Sequence, residues 1–474
     1  MNNYTNRHFS TSTLFAFALA FALVLSILQP LPVKAQTPTL PEYIVVSGDN
    51  LSTIAARFKT TVAAIQEANA MNGSTGLRPG DHLKIPGLEG LSGIMVSDYV
   101  PLGASLTVLA RRGQSTVLGL IKLNKITSPS ELFVGREITI TKNPETQTVA
   151  SIPPILTGVS MLELAIENNS NYYRLARINT LASPNLALPM DTYYAPSEIQ
   201  TTNSLAIPGL EDITLGNMPF MQGQAYTIRV KTSQALQVHS ELRDLRPEFF
   251  KLDEHEQIAY GGINALAEPG IYPLTMEFTT SSNQTYRIIQ YVFVKDGSYA
   301  MDSNITVDPK TLEEEANSDE DKVFNQIISK PTPLQQWQGL WQSPTKEPIC
   351  ITDKFGNRRT YNGDTSKLYF HTGLDLGYCM GIDVFAPASG TVVAVKPDQI
   401  IRGNAIVIDH GMGIFTTYMH LSKILISEGD KVEPGQKIGE IGNTGRSAGP
   451  HLHFQVDANG VHVNPETWLL KVFP

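Results

Sequence analysis

Two periods alternate along the first stretch of globular sequence. Residues 43–46 form a short β-branched and aromatic run, and residues 82–85 alternate again before Pro86 stops them. Between these runs Leu51, Ile54, Ala55 and Phe58 fall at the spacing of one helical face, and Val62 and Ile65 begin a second face after Thr60 and Thr61. Ser47-Gly48-Asp49-Asn50 supplies a turn and a helix start, and residues 77–80 supply another turn. Residues 43–86 are therefore expected to fold as a βααβ unit. A shift of 55 residues carries Gly48, Leu51, Ala55, Asn69 and Leu77 onto Gly103, Leu106, Ala110, Asn124 and Leu132. A second identical shift reaches Gly158, Met161, Ala165 and Asn179, so three units are expected, at 43–86, 98–141 and 153–196.

After Pro196 the helical period disappears. Residues 226–231, 236–242, 272–279 and 286–295 alternate or run β-branched and aromatic, which predicts a β-sandwich-like domain over 205–308. Residues 309–329 turn acidic and weakly amphipathic, so 309–345 is expected to be a helix and linker. Residues 346–474 return to short β-rich runs punctuated by glycine. The expected architecture is thus multidomain: three helix-containing repeats, a sandwich-like middle and a β-rich C-terminal domain.

Charge and termini narrow the function. With 36 basic and 45 acidic residues the net charge is −9, which argues against non-specific nucleic-acid binding. Arg7 precedes an uncharged apolar run at 14–28, followed by Pro30, Pro32 and the small residues Val33 and Ala35. That run is short for a bilayer span and fits a secretory signal over 1–35, so the protein is expected to be exported to the periplasm, cell wall or medium. Membrane attachment would require the segment to stay uncleaved. The only cysteines are Cys350 and Cys379. In an exported chain an isolated pair is expected to form a disulfide, the alternative being two unpaired thiols.

The first unit resembles the LysM carbohydrate-binding module through VSGDNL at 46–51, Ile54-Ala55, Phe58, Asn69 and LRPGDHLKIP at 77–86. The second and third units resemble degenerate copies, with Ala104 in place of Asp49 and Met190 in place of Gly80. The resemblance implies binding of N-acetylglucosamine-containing glycan along the two loops, with Asp49, Asn50, Leu51, Leu77 and Arg78 as candidates. Those residues equally suit helix capping and core filling in so small a unit.

Six of the ten histidines lie beyond residue 370. In His451-Leu452-His453-Phe454 the histidines share one strand face while Leu452 and Phe454 face the other way. In His371-Thr372-Gly373-Leu374-Asp375 the histidine and the aspartate also share a face. Two imidazoles and a carboxylate make three protein ligands, the count of a catalytic zinc with an open position. The remaining histidines, His420 among them, become candidates for general base and oxyanion donor. His410 is expected at a strand end and turn, and His462 at the surface.

Residues 350–470 resemble the lysostaphin-type zinc endopeptidases, the group that includes β-lytic and LytM-like enzymes. The matching segments are FGNR at 355–358, HTGLD at 371–375, APASGTV at 386–392, GNAIVIDHG at 403–411, YMHL at 418–421, GDKVEPGQKIG at 429–439 and GNTGRSAGPHLHF at 442–454. The resemblance implies an antiparallel β-rich metallopeptidase domain with a groove for an extended peptide. It assigns one zinc to His371, Asp375 and His453, and catalysis to His420 and His451. With the LysM unit it implies a cell-wall hydrolase that cleaves peptide cross-links of peptidoglycan while anchored to glycan. The rival expectation is a wall-binding regulator of another murein hydrolase, non-catalytic or autoinhibited.

Overall fold

The computed structural model describes residues 40–473, apart from 72–75, 89–90, 114, 143–148, 153–159, 189–191, 197–206 and 303–304. The expected signal segment at 1–35 lies outside the described residues. Among those described, no helix is long and apolar enough to cross a membrane.

The three repeats share the anticipated order. The first is β1 (Glu42–Ile44), α1 (Leu51–Phe58), α2 (Val62–Ala68) and β2 (His82–Lys84). The second is β3 (Ile94–Tyr99), α3 (Leu106–Arg112), α4 (Val117–Asn124) and β4 (Glu137–Lys142), and the third is β5 (Val149–Ile152), α5 (Met161–Glu167), α6 (Tyr172–Ile178) and β6 (Tyr193–Pro196). Each helix starts on a side-chain cap: Asn50, Thr61, Ser105, Thr116, Ser160 and Asn171. These oxygens satisfy N–H groups that a short helix would otherwise leave unpaired.

The repeated asparagine has a definite task. Asn69 donates to Ile65 O on its own helix and to Lys84 O on the second strand, and accepts from Lys84 N–H. Asn124 makes the same three bonds with Leu120 and Thr139, and Asn179 with Leu175 and Tyr194. One carboxamide thus clamps helix to strand in every unit. Adjacent units also join. β1 pairs parallel with β3, merging the first two repeats into one sheet of order β2-β1-β3-β4. The buried Arg111 of the second repeat donates to Asn179 O and Thr192 O of the third.

The middle domain is the expected sandwich. Its strands are β7 (Leu210–Gly216), β8 (Phe220–Met221), β9 (Ala225–Thr232), β10 (Leu236–Leu242), β11 (Phe249–Lys251), β12 (Glu256–Gly262), β13 (Gly270–Thr280) and β14 (Thr285–Lys295). They form two four-stranded sheets, β10-β13-β14-β8 and β11-β12-β9-β7, over a core that includes Ile228, Val230, Phe278 and Val292.

The C-terminal domain begins with α7 (Glu314–Ile328) and continues through β15 (Ile351–Asp353), β16 (Arg358–Tyr361), β17 (Asp364–Phe370), β18 (Leu374–Leu376), β19 (Asp383–Phe385), β20 (Gly390–Gln399), β21 (Gly403–Gly411), β22 (Ile414–Leu421), β23 (Lys423–Ile424), β24 (Lys431–Val432), β25 (Lys437–Glu440), β26 (Leu452–Ala458), β27 (Val461–Val463) and α8 (Pro465–Leu470). Its main sheet runs β15-β18-β26-β22-β21-β20-β24, with β27 hydrogen-bonded to β26. Cys350 and Cys379 are joined, tying the start of β15 to the loop after β18.

The segment 309–345 contains the expected helix, α7, and the rest of it packs into the C-terminal domain instead of running free as a linker. Phe324 and Ile328 of α7 pack against Ala394, Val407 and Phe415 of the sheet. Trp337 and Trp341 enter the main core, where Trp468 lies 6.0 Å and 4.8 Å from them and Phe473 stacks on Trp468 at 3.9 Å. A tryptophan buries more apolar area than any other side chain, so two of them fasten this segment firmly to the sheet. The sandwich shares the same core through Ala225, Phe250, Ile258 and Tyr260, whose ring lies 5.6 Å from Trp337. Asn464 N–H donates to Gly223 O, and Asn459 to Tyr260 O, across that seam.

His410 lies at the end of β21 before a turn, as expected. It is fully buried there, between Ser389 O and Thr416 Oγ1, both at 2.8 Å, and 4.8 Å from Trp341. Burial pushes its pKa down from 6.5 to about 4, against the hydrogen bond to Ser389.

Two outcomes follow. Trp337→Ala should destabilise this core by about 3–5 kcal/mol, although residue 337 lies far upstream of the histidine motifs. All three tryptophans of the chain occupy this core, so urea unfolding read by tryptophan fluorescence reports on it alone. The second outcome concerns pH. An unfolded chain protonates His410 near 6.5, whereas the folded one does so only near 4. The unfolded state therefore binds the extra proton as pH falls through that window, and stability drops by about 3 kcal/mol between those limits. His410→Gln should flatten that part of the stability–pH curve.

Candidate metal centre and groove

The sheet register brings the sequence motifs together. β18 pairs with β26 so that Leu374 faces Phe454, Asp375 faces His453 and Leu376 faces Leu452. Leu374, Leu376, Leu452 and Phe454 are all fully buried on the core side, which leaves Asp375 and His453 on the opposite side. His371 follows directly on β17, with Thr372 and Gly373 between it and Leu374, where β18 begins. A side chain at Gly373 would meet His453 Nε2 and Phe454 O at 2.6 Å, so only glycine lets the two segments approach this closely.

Three ligand-type atoms converge there. His371 Nε2 lies 2.9 Å from Asp375 Oδ1 and 3.1 Å from His453 Nδ1, and His453 Nδ1 lies 2.9 Å from Asp375 Oδ1. The other ring nitrogen of His371 faces Lys354 O at 2.9 Å, which assigns its proton to Nδ1 and leaves Nε2 as a lone pair. Asp353 stands 3.5 Å from the same Nδ1 and is itself held by Arg359 and Asn357. Tetrahedral zinc with ligands at about 2.0–2.1 Å sets its ligands about 3.3–3.4 Å apart, so this donor set fits such an ion in number, chemistry and spacing. Burial would raise the pKa of Asp375, but the charge and hydrogen bonds of His371 and His453 outweigh it and hold the carboxyl well below its ordinary value. Desolvation drives His453 down to about 4, despite its bond to Asp375.

Two further imidazoles complete the cluster. The ring of His420 lies 4.9 Å from that of His451 and 6.0 Å from that of His453. His451 Nδ1 faces Gly449 O at 2.7 Å, and its Nε2 lies 3.5 Å from Asp375 Oδ2. His420 Nδ1 faces Thr444 O at 2.8 Å. Desolvation pushes the pKa of His420 down to about 3, helped by the neighbouring His453 and His451. Strand alternation alone would point His420 into the core, because Tyr418 is buried and Met419 faces outward opposite His453. Instead His420 has φ +63°, a left-handed conformation that breaks the alternation, and both Met419 and His420 line the groove.

That groove has a volume of about 810 Å³ and contains all five residues. Its walls include Tyr361, Tyr369 and Arg446, with Arg446 over the Tyr361 ring at 5.2 Å. Ile305, Val307 and Leu312, which precede α7, form part of the rim. His462 is not a surface residue as expected. It lines the groove, with Nδ1 bound 2.5 Å from the fully buried Asp457 of the adjacent strand. Asp353, His462 and the carbonyls of Lys354, Thr444 and Gly449 are the elements sequence reading missed. The only signal was the placement of Asp457 and His462 on either side of the tight turn after β26.

The glycan candidates lie elsewhere, on the first repeat. Asp49 accepts from Tyr43 OH at 2.7 Å and from Val46 N–H at 2.9 Å, and its side chain is almost buried. Asn50 caps α1, while Leu51 and Leu77 pack partly against the unit's core. Arg78 is exposed, and its backbone N–H donates to Asp81. Asn50, the backbone at 47–48 and residues 78–80 remain open to solvent.

Comparison with known proteins agrees with this division. Residues 369–465 match the family model of peptidase family M23, and residues 43–86 and 103–141 match that of the LysM domain. The peptidoglycan DD-endopeptidase ShyA of Vibrio cholerae is 41% identical over 121 residues, covering 26% of this chain and 28% of that protein. The DD-carboxypeptidase/endopeptidase Mpg of Neisseria meningitidis is 45% identical over 122 residues, 25% of this chain and 27% of that protein. An uncharacterized metalloprotease of Haemophilus influenzae is 37% identical over 130 residues, 27% of each chain. The matched stretch thus spans little more than a quarter of these relatives' length. On the family match and the convergence of its motifs in one groove, the C-terminal part of this chain is a peptidase family M23 domain, carried behind LysM domains.

Proposed function

We propose that this protein is an exported, zinc-dependent endopeptidase that hydrolyses peptide cross-links of peptidoglycan and is held on the glycan by its first LysM repeat. The observation that carries the reading is the groove itself, in which three ligand atoms converge beside two further imidazoles. One zinc held by His371 Nε2, Asp375 and His453 Nδ1 would supply Lewis acidity toward a peptide carbonyl and a water acidified to near-neutral pKa.

The chain's own residues supply the rest. Lys354 O fixes the tautomer of His371, and the carbonyls of Thr444 and Gly449 do the same for His420 and His451. With Nδ1 protonated, each of the latter two presents an Nε2 lone pair, and desolvation keeps His420 a neutral base rather than a cation. One imidazole takes a proton from the attacking water and thereby becomes a donor. That proton then returns to the departing amine, so the pair ends as it began. Tyr361, Tyr369 and Arg446 offer hydrogen-bonding and cationic surface to an extended peptide bearing carboxylates. The exposed loops of the first repeat, with Asn50, Leu51, Leu77 and Arg78 beside the structurally engaged Asp49, would bind N-acetylglucosamine-containing strands and raise the local concentration of cross-links.

The test is digestion of purified peptidoglycan with zinc content measured in parallel. The parent should carry about one zinc and release new amino groups. His451→Ala should keep its zinc while the rate falls by about 10²-fold or more. His371→Ala and Asp375→Asn should lose both. A parent that holds zinc yet releases nothing from any wall type would move the reading to a non-catalytic regulator, and a parent without zinc would end it.

A further inference from the structure

The 55-residue shift that aligns the repeats also aligns their loops, and the two copies are used differently. In the first repeat Ser47, Gly48 and Asn50 are exposed, as are Arg78, Pro79 and Gly80. In the second, Leu102 and Gly103 are only partly exposed, Ala104 and Leu132 are buried, and Phe133 and Val134 are partly covered, while Ser105 and Gly135 stay exposed. What covers them is the sandwich. β14 pairs with β13 along its length, but on its other side it meets β8 only at Val294 and Lys295. The free edge before those residues takes the second repeat instead: Val134 N–H donates to Tyr291 O at 2.8 Å. Gln290, itself 7% exposed, enters between the two loops. Its Oε1 accepts from Gly103 N–H at 3.0 Å and its Nε2 donates to Leu132 O at 3.1 Å. Phe133 packs on Phe293 at 5.2 Å, and Leu102 and Val134 join the sandwich core.

We infer that the second LysM repeat is a socket for the sandwich edge rather than a glycan site, with the Gln290 carboxamide filling its loop cleft. The inference rests on the proposed reading that these loops take acetamido sugars. A carboxamide carries the same pair of groups as an acetamido substituent, one C=O acceptor and an N–H donor. With both loop partners already engaged by Gln290, a sugar would have to displace a buried, doubly bonded side chain and expose the strand edge. Of these two repeats, glycan recognition therefore falls to the first, and the second converts a sugar-binding shape into an internal joint.

Hydrogen exchange on the full chain, with and without the hexamer of N-acetylglucosamine, tests this. Amides at 102–106 and 132–136 should exchange more slowly than those at 47–51 and 76–81 in the absence of sugar. The hexamer should slow 47–51 and 76–81 and leave the second repeat's loops unchanged. Gln290→Ala should speed exchange at 102–106 and 132–136 by about fivefold to tenfold, the scale of a lost buried hydrogen bond, and leave the first repeat alone. If that variant loosens the whole sandwich, Gln290→Glu, which keeps the acceptor, should confine the loss to 132–136. Sugar protection at the second repeat's loops, or wild-type exchange there as fast as in the first repeat, would overturn the inference. Absence of sugar protection anywhere would instead defeat the glycan reading, while the Gln290 variants still decide the joint.

Discussion

Everything in the groove depends on one strand register. Asp375 stands opposite His453 on one neighbour, and His453 stands opposite Met419 on the other. The register is set from behind, by Leu374, Leu376, Tyr418, Leu452 and Phe454 packing into a single core. A slip of one residue would bury the ligands and expose the leucines, so the hydrophobic face specifies the chemical face without touching it. The same core extends to Trp337, Trp341 and Trp468 and to Tyr260 of the sandwich. Stability of the site is thus spread over segments remote in sequence.

Much of this was legible beforehand, and the reasons are local. His451 and His453 alternate on a strand whose other face is Leu and Phe, a period-two pattern that needs no tertiary knowledge. The repeats were legible because a fixed spacing carried the same asparagine, and that asparagine performs the same clamp each time. Gly373, inside the same short motif, admits the close approach of the neighbouring strand that carries His453. The sandwich emerged from alternation alone, which fixes the layer type but not its neighbours.

What escaped the sequence was long-range or lay in the backbone. The carbonyls that set the tautomers of His371, His420 and His451 have no side-chain signature. The left-handed turn at His420 is a departure from strand geometry that the strand pattern does not announce, since only a few per cent of non-glycine residues adopt it. The tryptophans at 337 and 341 read as part of a linker because their partner, Trp468, lies more than a hundred residues on. His462 looked like a surface residue because its partner is a buried carboxylate across a hairpin, and burial is not written in composition.

The parallel pairing of β1 with β3 has a consequence for how such a molecule would work on a polymer. An anchor on a loose tail lets a blade wander through a sphere, with its odds of meeting a bond falling as the tail lengthens. Here the first repeat is welded by strand hydrogen bonds to the second, and the second is bonded to the sandwich, which shares a core with the C-terminal domain. On the proposed function such a chain would act as a caliper. A molecule seated on a strand would reach bonds at one span and pass over those nearer or farther, and the spacing of cuts along the mesh would be a property of the protein rather than of chance.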